Sequence, residues 1–412
     1  LKVSGRAWVN NTQSNTDFCN NAGVGNYIHA GIALNSSLVA PAGGSNAQLS
    51  VASVATDATG AVTQAVNVNE VGVFTFRATP PAYFTETIAA STSATIGRFI
   101  PDHFELTGGT VTAANTSTSS FTYLGQPVLL DYSLTARTAN SPASTTKNYQ
   151  GSFAKLDLDD VGTQLSDVGA ASSDKDVAYG VLDTAALASY NNRLSVAGPG
   201  SATTWSEGVI NVVGLPLTIE RGASPEAPVS TVDVGLLVED SDGVSLAVLD
   251  LDSDAAGAVD TKTLATLPGN LVYGRVFIPP VYGPEIPVGS SLDMPFTVQY
   301  FDGSAFVTHT GDSSTNYALW TASCTDADSG DGLVCAEAPM TMPAGSVVGG
   351  ESDPAFVSTI GRPGLNNTGS LNITVTVDDW LSFDWDSAIA GDEYPSSLVT
   401  FGVYRGNDRV IY

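Results

Sequence analysis

The sequence predicts an all-β chain of tandem, immunoglobulin-like β-sandwiches with little helix. Three observations carry that expectation. Short runs alternate apolar and polar residues, as in Val71-Gly-Val-Phe-Thr-Phe76, Val209-Ile-Asn-Val-Val213, Phe296-Thr-Val-Gln-Tyr300 and Leu371-Asn-Ile-Thr-Val-Thr-Val377. A pleated strand turns successive side chains to opposite faces, so period-2 alternation marks strands with one buried face. Gly, Pro, Asn and Asp interrupt these runs at roughly ten-residue intervals, the turn spacing of a sandwich. Asp outnumbers Glu, 31 to 11, and the short Asp side chain bonds local turn backbone where Glu favours helix. The best helical stretch is residues 184–190, with Asp183 as its N-cap, and it amounts to one or two turns.

The 412 residues suffice for several domains, and 43% apolar residues are enough to give each a core. Only 14% are charged, so Ser, Thr, Asn and Gly must cover much of the surface. The formal net charge of −27 repels phosphate backbones and anionic lipid, which excludes nucleic acid and membrane surface as natural partners. No run of 18 apolar residues exists, so no helix inserts in a membrane. The chain begins Leu1-Lys2-Val3 with no basic region, apolar run or cleavage site, so a secretion signal is expected to be removed or upstream.

Composition shifts divide the chain into residues 1–97, an N-terminal sandwich; 98–272, a middle sandwich with insertions; and 273–412, a C-terminal sandwich. The middle one opens on Arg98-Phe-Ile-Pro101 and carries the polar insert Thr110–Ser120. Tyr273-Gly-Arg275 and the Pro-rich stretch Ile278-Pro-Pro-Val-Tyr-Gly-Pro284 open the last. Of three cysteines, Cys324 and Cys335 flank an Asp/Gly-rich loop and are expected to pair in an oxidising, exported setting. Cys19 has no local partner. It is either a buried thiol or paired to sequence outside this chain.

A series of motifs spans nearly the whole chain: Glu70-Val71-Gly72, Gly97-Arg-Phe-Ile-Pro-Asp-His-Phe104, Phe121-Thr-Tyr-Leu-Gly-Gln-Pro127, Leu134-Thr-Ala-Arg137 and Asn148-Tyr149-Gln-Gly151. It continues through Asp240-Ser-Asp-Gly-Val244, Tyr273-Gly-Arg275, Tyr282-Gly-Pro-Glu285, Asp384-Trp385-Asp386 and Phe401-Gly-Val-Tyr-Arg-Gly-Asn-Asp-Arg-Val-Ile-Tyr412. In this order the motifs resemble the C-terminal region of MshQ-like proteins, which are encoded with the mannose-sensitive haemagglutinin (MSHA) type IV pilus. The resemblance implies a secreted or cell-surface protein of a Gram-negative bacterium, linked to pilus display or adhesion. Its partners would be other surface or pilus subunits and glycans.

Asp250-Leu-Asp252-Ser-Asp254 sets carboxylates at alternate positions, and Asp240 with Asp242 forms a similar cluster, as do Asp326, Asp328 and Asp331. Calcium takes six to eight oxygens and is the cofactor these loops would hold, although EF-hand spacing is absent and a solvated turn uses the same residues. Asp102 beside His103 suggests acid–base work. Arg98, Pro101 and Asp102 alternatively lock a domain junction, because neighbours on a strand face opposite ways. His29, His103 and His309 lie far apart without metal-ligand spacing, which disfavours zinc. No Gly-x-Ser-x-Gly elbow supports a serine nucleophile. Asp378-Asp379 and Asp384 with Asp386 flank Trp380 and Trp385, a pattern open to sugar binding or glycoside hydrolysis but also to core packing.

The sequence therefore reads as a non-enzyme: an adhesin stalk or tip-like array of surface domains. Two alternatives stand beside it, a spacer that self-assembles into filaments through strand edges and a secreted polysaccharide-binding or polysaccharide-active protein.

Overall fold

The computed structural model describes residues 1–6, 21–113, 121–140, 142–163, 167–168, 174–182, 190, 193–230, 232–247, 262–353, 358–386, 388 and 391–402. Among them the only helical pieces longer than one residue are single 3-10 turns at Gly151–Phe153, Cys335–Glu337 and Asp379–Leu381. The chain is all-β, as its alternation predicts. The expected short helix at 184–190 lies outside the described residues except for Tyr190, and so does Cys19.

In the N-terminal sandwich, Ile32–Ala40 and Gly72–Thr79 form the central antiparallel pair, flanked by Ser53–Val54, Ser91–Thr92 and Ile96–Phe99. Ile32 and Leu34 of one strand, and Phe74 and Phe76 of the other, face inward at every second position. A short pair, Lys2–Ser4 with Ala61–Thr63, completes this part.

The middle sandwich packs two four-stranded sheets face to face. One runs Leu194–Val196, Val209–Ile219, Val128–Arg137, His103–Ala113, and the other Val161–Gly162, Val177–Leu182, Asp233–Val238, Lys262–Thr266. Val128, Leu130, Tyr132, Leu134 and Ala136 all point into one continuous core. Along Val209–Ile219 the buried set switches parity, from Ile210 and Val212 to Leu215, Leu217 and Ile219. Pairing with Val128–Arg137 shifts register between Leu130 and Tyr132. A one-residue slip turns every later side chain to the other face, so a bulge is what keeps both halves in the core. Gly214 takes the left-handed φ of +67° that this needs, and its N–H donates to Asp131 Oδ1 at 2.6 Å.

The C-terminal sandwich has three small sheets. Gly274–Phe277 pairs with Thr297–Phe301 and Phe306–Thr308; Val281–Gly283, Ser396–Phe401, Gly369–Thr376 and Thr321–Asp326 form the second; Ser291–Met294, Ser358–Gly361 and Met340–Thr341 the third. Its own core gathers Met294, Phe296, Val298, Ile373, Val375, Val399 and Phe401. Cys324 and Cys335 form a disulfide, with Cα atoms 5.9 Å apart.

Candidate functional site: two pinned junctions between sandwiches

Several buried polar side chains, Glu70, Asn148, His309 and Asp312 among them, gather where one sandwich meets the next. At the first junction Glu70 is buried, and its carboxylate accepts the N–H groups of Val71, Lys147 and Asn148 at 2.9, 3.0 and 2.9 Å. Val71 drops into the middle core, while the next residue, Gly72, opens a strand of the N-terminal sheet. Glu70 thus ties the start of that strand to the 147–148 turn of the neighbouring sandwich. Burial pushes its carboxyl up from the ordinary range, against the pull of the three N–H donors and the Lys147 charge.

Asn148 completes the tie from the other side. Its Oδ1 accepts the Ser45 N–H at 2.7 Å, and its Nδ2 donates to the carbonyls of Ser45 and Val71, both at 2.8 Å. Gly44 is required here, because a Cβ would lie 2.5 Å from Asn148 Oδ1. Next in sequence, Tyr149 is wholly buried against the rings of Phe104 and Trp205. Its hydroxyl donates to Asp240 Oδ2 at 2.7 Å and accepts the N–H groups of Lys155 and Leu156. Desolvation, then the Asp240 charge, pushes the Tyr149 phenol far up.

Asp240 is therefore placed among protein donors: besides Tyr149, its Oδ1 accepts the N–H of Asp242 at 2.9 Å and of Val244 at 3.0 Å. Asp242 forms an ion pair with Arg98. Among the described residues no three Asp, Glu, His or Cys side chains converge as a cation would require. Asp250, Asp252 and Asp254 lie outside the described residues. Asp102 and His103 do meet, with Asp102 Oδ2 2.8 Å from His103 Nδ1. The alternation argument does not apply to this pair, because the strand begins at His103 and Asp102 precedes it.

Near this junction Asp157, Asp160 and Asp240 surround Asp176, which accepts the Asp157 N–H at 2.7 Å. Burial first, then those neighbouring charges, raises its carboxyl to about 6. The folded state then holds a proton that the unfolded chain has already released. Stability from this group is present below about pH 4 and is lost as pH rises through 6. Asp176→Asn keeps an acceptor for Asp157 and should stabilise the chain at pH 8 by about 1 kcal/mol after screening by solvent. Urea midpoints at pH 5 and 8 would check it; an equal change at both would contradict this origin.

The second junction is built from Phe121–Tyr123, which pairs in parallel with Asn270–Val272. Both segments are neighbours in sequence of middle-domain strands, yet Phe121, Tyr123 and Val272 pack in the C-terminal core. The Tyr123 hydroxyl lies 2.8 Å from His309 Nδ1 and donates to Asp312 Oδ2 at 2.9 Å. A phenol has one proton, so the His309 Nδ1 must be the donor in its own bond. Asp312 is fully buried and also accepts the backbone N–H and hydroxyl groups of Ser314 and Thr315. Burial drives the His309 imidazole down toward its neutral form and the Tyr123 phenol well up. The Ser314 and Thr315 hydroxyls in this network are spent as donors to Asp312. Gly274 is needed beside it, since a Cβ there would meet the Tyr123 ring at 2.4 Å.

Two arginines close the joint. Arg221 follows the strand Val209–Ile219 and reaches across to donate to the carbonyls of Ser382, at 2.5 Å, and Gly274, at 3.0 Å. It also pairs with Asp392 at 3.2 Å and lies over the Tyr273 ring at 4.1 Å. Arg275 sits among Phe306, Trp385 and Phe383, with its guanidinium carbon 3.7, 4.7 and 5.0 Å from their ring centres. Burial without a carboxylate partner among the described residues lowers its pKa to about 10. Trp385 is thereby engaged by the protein's own cation. Asp378 accepts the Trp320 indole N–H at 3.4 Å, Trp380 packs against the C-terminal core, and Tyr394 donates to Asp379 at 3.4 Å.

The sequence motifs fall largely on these joints. Glu70, Arg98, Asn148, Tyr149, Asp240 and Asp242 build the first; Tyr123, Tyr273, Gly274, Arg275 and Trp385 the second. Arg221 and the His309–Asp312 pair were not singled out by sequence reasoning. The available signal was the His-x-x-Asp spacing, together with the scarcity of cations in so acidic a chain. The closing motif, residues 403–412, lies outside the described residues.

Fold and joints define a class: a tandem array of β-sandwiches fastened to one another by buried polar contacts. The chain belongs to the DUF6701 family. Residues 1–67 match that family's second domain, 70–266 its third and 272–412 its fourth. The strand pair Ile32–Ala40 with Gly72–Thr79 therefore joins a segment of the second domain to one of the third. No curated protein matches the chain. Among solved structures it is similar to the adhesin InvE of Yersinia pseudotuberculosis at 14% identity, covering 72% of this chain and 59% of that one, with a TM-score of 0.22. The human desmocollin-1 ectodomain is 10% identical over 95% of this chain and 57% of its own, with a TM-score of 0.25. BcpA, the major pilin subunit of Bacillus cereus, is 9% identical over 93% of this chain and 95% of its own, with a TM-score of 0.16.

Proposed function

We propose that this chain is a non-catalytic, rigid spacer: a stalk of fastened sandwiches that carries or positions other parts of a secreted surface protein. The observation that carries this reading is the pair of joints, where charged and polar side chains from one sandwich are buried in hydrogen bonds to the next. Inter-domain contacts within a chain are ordinarily polar and mobile. Buried hydrogen-bonded networks instead fix one arrangement, because breaking them strands desolvated groups.

The motif series supports a closer placement with MshQ-like proteins, at the cell surface of a Gram-negative bacterium and in the company of MSHA pilus subunits. Adding the soluble chain to purified pili and to cells, across calcium levels, tests that placement. Co-sedimentation with pili is expected, and its absence at every calcium level removes the pilus link.

Calcium is proposed for the alternating carboxylates Asp250, Asp252 and Asp254, whereas Asp240 and Asp242 already serve protein donors. A ligand bound only by the folded state raises stability by about 2.7 kcal/mol at a hundred times its Kd. Calcium should therefore raise the melting midpoint and a chelator lower it. Identical melts retire the cation.

A further inference from the structure

A pocket beside the second joint has a composition that the spacer role does not use. It holds about 520 Å³, with Asp379, Asp392, Glu393 and Tyr394 on one side and Thr374 and Ser396 of the sheet on the other. That volume is within the ~300–1,000 Å³ of small-ligand sites, which favour domain boundaries. Three carboxylates line it, and no lysine or arginine does. Arg221 of the middle sandwich stands behind them, donating to the Asp379 carbonyl at 3.4 Å and pairing with Asp392 at 3.2 Å.

Two charged groups here keep a buried atom with no hydrogen-bond partner among the described residues. One is Oε1 of Glu393, the only carboxylate oxygen in that state among them. The other is Nε of Arg221, whose side chain is just 9% exposed. Folded proteins rarely leave such atoms unserved, because each costs its full desolvation penalty. Tyr394 is loosely held as well: it is 40% exposed, and its hydroxyl bond to Asp379 is a long 3.4 Å.

This chemistry selects a ligand class. A bare cation needs converging carboxylates, and no three converge among the described residues. An ammonium group only donates, so it would serve Glu393 and leave Arg221 as it is. An anion would be repelled by the three carboxylates. A hydroxyl both donates and accepts, so a hydroxylated ring serves both atoms while its apolar face lies on the Tyr394 ring. The neighbouring sheet agrees. Ser323, Thr325, Asn372, Thr374 and Ser396 fall in cross-strand register on the face turned away from the core. None of them is charged, in a chain of net charge −27, and two of them line the pocket. A sugar chain seated in the pocket can therefore continue across uncharged hydroxyl and amide groups.

We propose that this pocket binds one pyranose ring of a neutral polysaccharide, with Asp379 and Glu393 accepting its hydroxyls and Tyr394 stacked on the ring. The site goes beyond the spacer reading: a chain that binds no sugar would refute it and leave the stalk standing.

Saturation-transfer difference NMR of the whole chain tests it, with millimolar cellotetraose, maltotetraose, laminaritetraose and chitotetraose as probes and tetragalacturonate as the acidic control. At least one neutral tetrasaccharide should bind, and tetragalacturonate should not. Tyr394→Ala should weaken binding about thirtyfold, the loss of an aromatic anchor. Glu393→Gln should weaken it about tenfold, the loss of a charged acceptor. Tyr394→Ala should unfold at the wild-type urea midpoint, since the side chain it removes is partly exposed and weakly bonded, so the lost binding is not lost folding. Failure of every neutral probe, equal binding of tetragalacturonate, or affinity unchanged in both variants overturns the proposal.

Discussion

Glu70→Ala should lower the free energy of unfolding by about 3–5 kcal/mol, with the loss centred on the joint between the first two sandwiches. Three backbone N–H groups, those of Val71, Lys147 and Asn148, end on this one carboxylate. Alanine strands the Val71 and Asn148 donors in buried surroundings and leaves the half-buried Lys147 donor unpaired, and each unsatisfied buried donor costs about 1–3 kcal/mol. Glu70→Gln separates this account from simple loss of packing. The amide keeps one oxygen for two of the donors, and burial already holds the carboxyl above its ordinary pKa, so the neutral side chain is tolerated. Gln should therefore recover at least half the loss. Urea unfolding of the three proteins, followed by Trp fluorescence, checks the order wild type, Gln, Ala. Equal losses for Gln and Ala would contradict it.

Asp312→Ala should cost as much at the second joint, about 3–5 kcal/mol, because removing one member of a buried charged network leaves its partners desolvated and unpaired. Tyr123, Ser314 and Thr315 would all lose their acceptor. The distinctive consequence concerns the proton of Tyr123. With Asp312 gone, the phenol has only His309 to serve, so it should donate to Nδ1 and shift the imidazole proton to Nε2. Nitrogen chemical shifts of His309 report that tautomer directly. Tyr123→Phe alone removes the bridge more gently, at about 1–2 kcal/mol. A double-mutant cycle between positions 123 and 312 should show strong coupling, since the two residues touch across the joint. Additive losses would mean that the bond contributes nothing.

The fold was legible in the sequence because it rests on patterns that strands cannot hide. Alternation along Val128–Arg137 or Gly369–Thr376 places every second residue inward whatever the partner strand is. The Cys324–Cys335 pair was legible for the same local reason, a short Asp/Gly-rich span between them. The joints were only half legible. Glu70, Asn148, Tyr149 and Tyr273 were visible as members of short motifs, but nothing local says that Asn148 meets Ser45, 103 positions earlier. Nor does any local pattern put Tyr123 against His309, 186 positions later. Spacing along the chain suggested three isolated histidines, while the fold makes one of them a partner of two other buried side chains. The parity switch at Gly214 was missed likewise, because alternation over Val209–Val213 reads cleanly until the bulge.

The carboxylate–tryptophan pattern near residue 380 shows the limit in the opposite direction. Sequence allows Trp385 to offer a face to a sugar. In the fold Arg275 lies over that ring and Phe383 abuts it edge-on at 5.2 Å. A cation placed over an aromatic face is favourable on its own, and here it serves the joint.

Distances between spin labels in the first and last sandwiches, at exposed Thr59 and exposed Asn366, test the rigid-stalk claim most directly. If both joints are pinned, wild type gives one narrow distance distribution, which broadens in Glu70→Ala and in Asp312→Ala. A broad distribution in wild type, unchanged by either substitution, would mean that the sandwiches swing freely and that the buried contacts do not set the shape of the molecule.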